Sequence, residues 1–287
     1  GLYGAGTAAT DRTVHEWRVI CLDKRTGKTL WSKVAAKKKP TDKRHIKATY
    51  ANSTPVTDGA RVVAFFGSEG LFAYTVKGDF LWKKNLGRLD VGAYDAPDYE
   101  WGTASSPIIW KGKVIVQCDT QKESFVLAVE VKTGKEVWRT KRNELPSWGT
   151  PTVWPGKQPE LITNGAKFIR GYNPNTGKEL WRLDGSSKIT TPTPVFTNDR
   201  IIVASGRHPE RPIFCLRPGG RGVLTGGKHV EWQNRRGPYM PTPLIYRDKV
   251  YALNNSGLLG CFDLKTGTEY FYERIRHRGN GFSASPV

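Results

Sequence analysis

Thr133-Gly134-Lys135-Glu136-Val137-Trp138 recurs along the chain as Thr26-Gly27-Lys28-Thr29-Leu30-Trp31, Lys77-Gly78-Asp79-Phe80-Leu81-Trp82 and Thr176-Gly177-Lys178-Glu179-Leu180-Trp181. A degenerate copy ends at Trp232 after Lys228-His229-Val230-Glu231, and another keeps Thr266-Gly267 but carries Phe271 at the aromatic position. The six aromatics lie 51, 56, 43, 51 and 39 residues apart. A period in the forties, built of short apolar segments joined by Gly-containing turns, is that of a four-stranded propeller blade, with a solenoid as the competing architecture.

A second recurring landmark favours the propeller. Small polar residues followed by proline open each repeat at Ser53-Thr54-Pro55, Ser105-Ser106-Pro107, Gly149-Thr150-Pro151, Pro192-Thr193-Pro194, Pro241-Thr242-Pro243 and Ala284-Ser285-Pro286. Proline is confined to strand starts and edges, so each landmark begins a strand. Aliphatic runs such as Arg61–Phe66, Lys113–Val116 and Arg200–Val203 supply a second strand, and segments such as Val19–Asp23 and Leu258–Asp263 a third. The Thr-Gly hairpin and its Trp strand complete four, with Gly27, Gly78, Gly134, Gly177 and Gly267 in the left-handed conformation such a turn needs. No stretch sustains helical periodicity.

The reading is therefore an all-β chain, one β-propeller domain of four-stranded antiparallel blades. The blades fall near 1–33 (partial), 50–85, 101–141, 147–184, 190–234 and 239–274, with 282–287 opening or closing another. About six blades are covered. The chain starts inside a blade, which is read as a piece of a larger, eight-bladed ring; a six-bladed ring closed by residues 282–287 is the other reading.

The 287 residues are 38% hydrophobic with ten Trp, and repeat arrays bury their core between neighbours, so one domain accommodates them. No apolar run approaches the roughly 20 residues of a membrane span, and no signal peptide is visible. Forty-five Lys and Arg against 26 Asp and Glu give a net charge of +19. The cations gather at Lys33, Lys37, Lys38, Lys39, Lys43, Arg44 and Lys47, at Lys83-Lys84, at Arg139, Lys141 and Arg142, and at Arg274, Arg276 and Arg278. Most follow a Trp strand and are expected on one face. Such a face attracts an anionic polymer or an acidic protein; nucleic acid is disfavoured, because no nucleic-acid-binding signature accompanies the charge.

Blades that open with Ser-Ser-Pro, pass through a strand ending in Leu-Asp or Phe-Asp and close with Thr-Gly-Lys-x-Leu-Trp resemble the pyrroloquinoline-quinone (PQQ)-type repeat family. That repeat builds the eight-bladed propellers of quinoprotein dehydrogenases and of the bacterial outer-membrane assembly lipoprotein BamB. The resemblance runs from about Val19 to Val287 and implies a blade-docking role for Trp31, Trp82, Trp138, Trp181 and Trp232, each indole N–H finding a backbone acceptor. Phe271 departs, since it has no donor. By resemblance the protein belongs to the periplasm or cell envelope of a bacterium.

Quinone catalysis in this family implies a vicinal Cys-Cys disulfide, a Trp floor and calcium-holding acids. Cys21, Cys118, Cys215 and Cys261 are nowhere adjacent, and three of them occupy equivalent third-strand positions in different blades. No cofactor is expected, with PQQ and calcium as the alternative. Asp90, Asp95, Asp98 and Glu100 offer hard oxygen ligands without the spacing of a known calcium loop. The five histidines, His15, His45, His208, His229 and His277, are scattered without metal-ligand spacing.

Residues just before the proline landmarks are expected near the mouth of a propeller's channel. Tyr50, Asn52, Trp101, Trp148, Thr190, Tyr239, Met240 and Phe282 stand there, with Asp95, Asp98, Arg235 and Arg236 supplying charge. They form a candidate small-ligand or peptide pocket, with packing of the loops as the alternative. No nucleophile, base and orienting group are brought together by spacing. The sequence thus points to a non-catalytic scaffold that binds a protein or anionic partner, with a PQQ- and calcium-dependent dehydrogenase and a polyanion-binding propeller as alternatives.

Overall fold

The computed structural model describes residues 8, 9, 11, 13–276, 279 and 281–287, without the side chains of Pro97 and Asp98. His277 and Arg278 therefore lie outside the described residues. The chain divides into two compact units, Gly1–Lys141 and Arg142–Val287.

In the first unit, sheet I pairs β1 (His15–Leu22) with β2 (Thr29–Lys38). Sheet II runs in order through β3 (Val56–Thr57), β4 (Arg61–Phe65), β5 (Leu71–Thr75) and β6 (Phe80–Lys84). A small hairpin of β7 (Gly92–Ala93) and β8 (Ala96–Glu100) lies in the connection that follows. Sheet III contains β9 (Ile108–Trp110), β10 (Lys113–Cys118), β11 (Ser124–Glu130) and β12 (Glu136–Arg142).

In the second unit, sheet IV is built from β13 (Thr152–Trp154), β14 (Glu160–Asn164), β15 (Ile169–Tyr172) and β16 (Glu179–Leu183). Sheet V takes β17 (Val195–Phe196), β18 (Ile201–Ala204) and β19 (Ile213–Leu216). The chain then lays β20 (Gly222–Val223) parallel against β16 of sheet IV before returning as β21 (Val230–Asn234) to complete sheet V. Sheet VI is β22 (Leu244–Tyr246), β23 (Lys249–Leu253), β24 (Leu258–Asp263) and β25 (Glu269–Arg274). Residues 282–287, expected to begin a strand, contain none.

Local sequence explains the strands and turns. The second strands read as unbroken apolar runs because both faces are covered: Val114, Ile115 and Val116 are all buried, as are Ile201, Ile202 and Val203. The turns at Lys111-Gly112 and Arg247-Asp248 have positive φ at both central residues, as a two-residue primed hairpin requires. In the Thr-Gly hairpins the preceding aspartate organises the loop. Asp23 Oδ1 accepts from the amides of Arg25 and Thr26, and Asp263 Oδ1 from those of Lys265 and Thr266. The Thr26 hydroxyl, which also donates to Asp23 Oδ1, and these amide bonds favour the carboxylate and hold both acids below the usual range.

Sheets are locked to their neighbours through one repeated contact. Trp31 Nε1 donates to Val76 O, Trp82 Nε1 to Val131 O and Trp232 Nε1 to Leu264 O, each at 3.0 Å. Under each indole lies the hairpin glycine of the next sheet. A Cβ on Gly78, Gly134 or Gly267 would stand 2.8, 2.6 or 2.6 Å from the ring of Trp31, Trp82 or Trp232. Trp138 and Phe271 occupy the same strand position, and all five hairpin glycines have φ between 70° and 93°. Trp181 differs from the expected backbone acceptor: its indole donates to the carboxylate of Glu160 at 2.9 Å.

A second ladder joins the proline landmarks. The hydroxyl of the residue before proline accepts the backbone N–H of its counterpart one sheet earlier: Thr54 N to Ser106 Oγ (2.9 Å), Thr193 N to Thr242 Oγ1 (3.1 Å), Thr242 N to Ser285 Oγ (2.9 Å). Apolar side chains fill the remaining space. Trp17, Val19, Phe72 and Tyr74 pack sheets I and II together; Ile162, Trp181, Val203 and Phe214 pack sheets IV and V; Ile202, Trp232, Val250 and Phe262 pack sheets V and VI.

Two glycines with the same backbone separate hairpin geometry from docking. Gly27 (φ 71°) has nothing within 4 Å of a built Cβ, whereas Gly134 (φ 70°) faces Trp82. Gly27→Ala is expected to cost about 1–2 kcal/mol, the left-handed penalty alone. Gly134→Ala is expected to cost about 1–3 kcal/mol more, the further cost of displacing a packed indole, measured by urea denaturation. Equal losses would show that the contact with Trp82 contributes nothing.

Candidate functional site

The connection from Lys33 to Asn52 does not repeat, and its main chain is held by carboxylates from other parts of the first unit. Glu69, in the 3-10 turn Gly67–Glu69 between β4 and β5, accepts from Thr41 N at 3.2 Å and from Lys38 Nζ at 2.7 Å. Glu100, at the end of β8, accepts from Lys43 N at 3.1 Å and from Arg88 Nη2 at 2.9 Å. Asp42 accepts from Arg88 Nε at 2.8 Å and from the Ser68 hydroxyl, whose oxygen takes the amide of Leu89 at 2.7 Å.

Asp42 is 8% exposed. Burial pushes its carboxyl above the ordinary range, opposed by the bonds from Ser68 and Arg88. A raised native value means that Asp42 adds stability below its unfolded pKa and loses it as pH rises through the folded value. Arg88 limits that loss by pairing with both Asp42 and Glu100.

Tyr50, Asn52 and Trp101 gather on this connection, but as anchors. Tyr50 meets His15 edge-on at 5.1 Å between ring centroids and Trp17 at 5.8 Å, and its carbonyl accepts from Trp17 Nε1 at 3.2 Å. The Arg44 guanidinium lies 5.6 Å from the Tyr50 ring and donates to Ala48 O at 2.8 Å. Trp101 meets His45 edge-on at 5.9 Å, and burial, with the Lys47 charge, lowers the His45 pKa. Asn52 closes a turn on Thr49 and reaches Thr103 O. The cavity that Tyr50 and Asn52 border measures about 30 Å³, room for water only.

The remaining candidates are dispersed. Asp95 is exposed beside the β7–β8 turn, and the side chain of Asp98 lies outside the described atoms. Trp148 is buried, its amide donating to Thr190 O at 2.8 Å, and Tyr239 O accepts the Thr191 hydroxyl. Arg236 lies 4.1 Å above the Tyr272 ring and 3.3 Å from Glu269, held on β25. Arg235 alone faces a larger groove, of about 540 Å³, within the second unit.

Several cations that follow the Trp strands are engaged in the sheets. Lys83 lies over Phe72 at 4.9 Å, Arg139 over Phe125 at 4.2 Å and Arg182 over Phe168 at 5.4 Å. Arg139 and Arg182 also pair with Glu136 and Glu179. The sequence does not signal the Asp42–Ser68–Arg88–Glu100 network, whose members meet only in three dimensions. The hydroxyl ladder is signalled, by the Ser or Thr before each landmark proline.

The residues present do not fit a quinone site within either unit. All four cysteines are free, and Cys215, 0% exposed, is pushed up to about 12 by burial and the nearby Glu231. Among the described residues no set of three His, Cys, Asp or Glu side chains could hold a metal. No Trp lines the 540 Å³ groove.

Successive antiparallel sheets joined through indole–glycine docking define a β-propeller protein. Residues 15–154 match the profile of the family described as outer membrane protein assembly factor BamB. Over those residues, just under half of the chain, the sequence is similar to that PQQ-like repeat family. Its fold is similar to that of BamB from Moraxella catarrhalis (TM-score 0.63, 16% identity, covering 94% of this chain and 74% of that one). Quinohemoprotein alcohol dehydrogenases from Comamonas testosteroni (0.58, 16%, 79% and 43%) and Pseudomonas putida HK5 (0.54, 14%, 78% and 42%) share the fold. The chain spans less than half the length of either dehydrogenase. No curated protein matches it by sequence.

Removing Arg88 exposes the role of the network. Arg88→Ala is expected to raise the Asp42 pKa further, read by carboxyl NMR, and to speed tryptic cleavage at Lys43, Arg44 and Lys47. Unchanged cleavage would show that the connection is held without it. Thiol reactivity provides a second check: in the native protein Cys21, which is half-buried, is expected to react with a thiol reagent ahead of the buried Cys118, Cys215 and Cys261.

Proposed function

We propose that this protein is a non-catalytic propeller scaffold of the bacterial cell envelope that binds a protein partner. The role is the one named by its matched family, outer membrane protein assembly. The observation that carries this reading is the use made of the charged side chains around the Lys33–Asn52 connection. Asp42, Glu69, Arg88 and Glu100 hold main chain and one another, beside a space too small for a substrate. What they produce is a fixed connection on which Lys37, paired with Glu16 at 3.0 Å, Lys39, Lys47 and Ile46, which is 53% exposed, all reach solvent.

A connection that exposes lysines and an isoleucine together suits an acidic protein partner: the charges steer the encounter and the buried apolar contact holds it. An anionic polymer would use the lysines without Ile46. Location in the envelope rests on the family likeness.

A photoreactive residue at position 46 is expected to cross-link to an envelope protein in cells, and the Lys37→Glu, Lys39→Glu, Lys47→Glu variant to lose the adduct. Binding of purified protein to polyphosphate, unaffected by substitution at Ile46 and falling steeply with salt, would move the reading to a polyanion. Bound quinone, with calcium- and alcohol-dependent dye reduction, would overturn the scaffold reading outright.

A further inference from the structure

Sheet V departs from the repeat at two connections, and both border the same groove. Between second and third strands the other four-stranded sheets have four or five residues (66–70, 119–123, 165–168, 254–257), whereas sheet V has eight, 205–212. Between third and fourth strands they have four to six (76–79, 131–135, 173–178, 264–268), whereas sheet V has thirteen, 217–229. The longer segments supply Pro209, Glu210 and Pro212 from one and Thr225 from the other to a cavity of about 540 Å³. That volume falls inside the roughly 300–1,000 Å³ of small-ligand sites.

The walls bring apolar and charged groups together. Phe214, Pro209 and Pro212 give an apolar side. Arg235 forms no ion pair among the described residues, and neither do Asp184 and Glu210, although cations outnumber anions 45 to 26 in this chain. Asp184 is fixed by its own turn, accepting the Gly185 amide at 2.7 Å, while its own amide donates to Thr225 Oγ1 at 3.1 Å. Asn234 Oδ1 takes the amide of Arg236 at 3.0 Å, but Nδ2 is buried without any acceptor.

The sign of the walls selects the ligand. An anion would be drawn in by the +19 chain but would meet two carboxylates; a cation would meet them favourably but approach against the long-range field. A ligand carrying both signs meets neither obstacle. We propose that the groove binds a short peptide with free termini. Its α-carboxylate pairs with Arg235, its α-ammonium with Asp184 and Glu210, and an apolar side chain rests on Phe214 and Pro212. The inference stands independently of the connection at Lys33–Asn52.

Titration calorimetry and amide NMR with Ala-Leu-Ala, its N-acetyl and C-amide forms, and free leucine test it. The free tripeptide is expected to shift the Asn234 side-chain amide and residues 209–214 and 233–235. Blocking either end should weaken binding about tenfold, the loss of one charge-assisted contact. Arg235→Gln should do the same for the free peptide while leaving thermal unfolding unchanged, and Asp184→Asn with Glu210→Gln should abolish the sensitivity to N-acetylation. Equal binding of the doubly blocked peptide, shifts confined to other surfaces, or no shift at millimolar peptide would each overturn the assignment; leucine binding as tightly as the tripeptide would make the ligand an amino acid and overturn the peptide.

Discussion

An indole stacked on a hairpin glycine of the following sheet is the contact on which the rest of this fold depends. Two demands converge on that glycine. The turn requires positive φ, and the ring above it leaves no room for a Cβ. The indole N–H then reaches a carbonyl beside the same hairpin, so each Trp satisfies its donor only if the next sheet is in register. One residue pair thereby sets hairpin shape, sheet spacing and polar satisfaction together, which is why its sequence repeats while most of the strands around it vary.

Where this contact fails, a compensation is visible. Trp181 turns its N–H to Glu160, whose side chain is fully buried and also takes Gly219 N at 3.0 Å and Arg221 Nη1 at 3.2 Å. A buried carboxylate needs such partners, since removing one leaves an uncompensated charge. Both Gly219 and Arg221 belong to the long connection of sheet V, which also lays β20 along the outer edge of β16 and passes the amide of Leu224 to Arg182 O. The insertion replaces a hairpin by covering the strand that the hairpin would have docked on. The edge of β16 gains a neighbour in the process.

Much of this architecture is legible in the sequence because it is local and periodic. The Thr-Gly hairpins, the landmark prolines and the apolar second strands each show within a few residues. The hydroxyl ladder is half legible: Ser106, Thr242 and Ser285 stand beside prolines that announce strand starts, but that their oxygens accept the amides of Thr54, Thr193 and Thr242 requires the fold. Tyr50 and Trp101 mark the limit. An aromatic before a strand start looks alike whether it lines a pocket or packs a loop, and what decides is distant in sequence, His15, Trp17 and Arg44 for Tyr50, His45 for Trp101. Asp42, Glu69, Arg88 and Glu100 are illegible for the same reason. Residues 281–287 carry a strand-start landmark and form no strand, because strand structure needs a paired neighbour and the landmark's serine needs only the amide of Thr242.

Net charge also changes meaning once the fold is known. Lys83, Arg139 and Arg182 each occupy the position after a docking Trp, and each lies over a phenylalanine, Phe72, Phe125 or Phe168. A cation over an aromatic face contributes about 0.5–1 kcal/mol at an exposed site and covers ring surface with its methylene stem, so these charges belong to the sheets. The lysines of the Lys33–Asn52 connection differ in origin: their backbone is fixed by buried carboxylates that leave Lys37, Lys39 and Lys47 exposed. Charge that repeats with the blades stabilises blades, whereas the charge that does not repeat is divided between holding its own connection, as Lys38 does on Glu69, and facing solvent, as Lys39 and Lys47 do. Asp184, Glu210 and Arg235 likewise border the groove to which the enlarged connections of sheet V contribute. Architecture therefore accounts for the periodic part of this molecule, and the two sites proposed for recognition both lie where the repeat is broken, one in each compact unit.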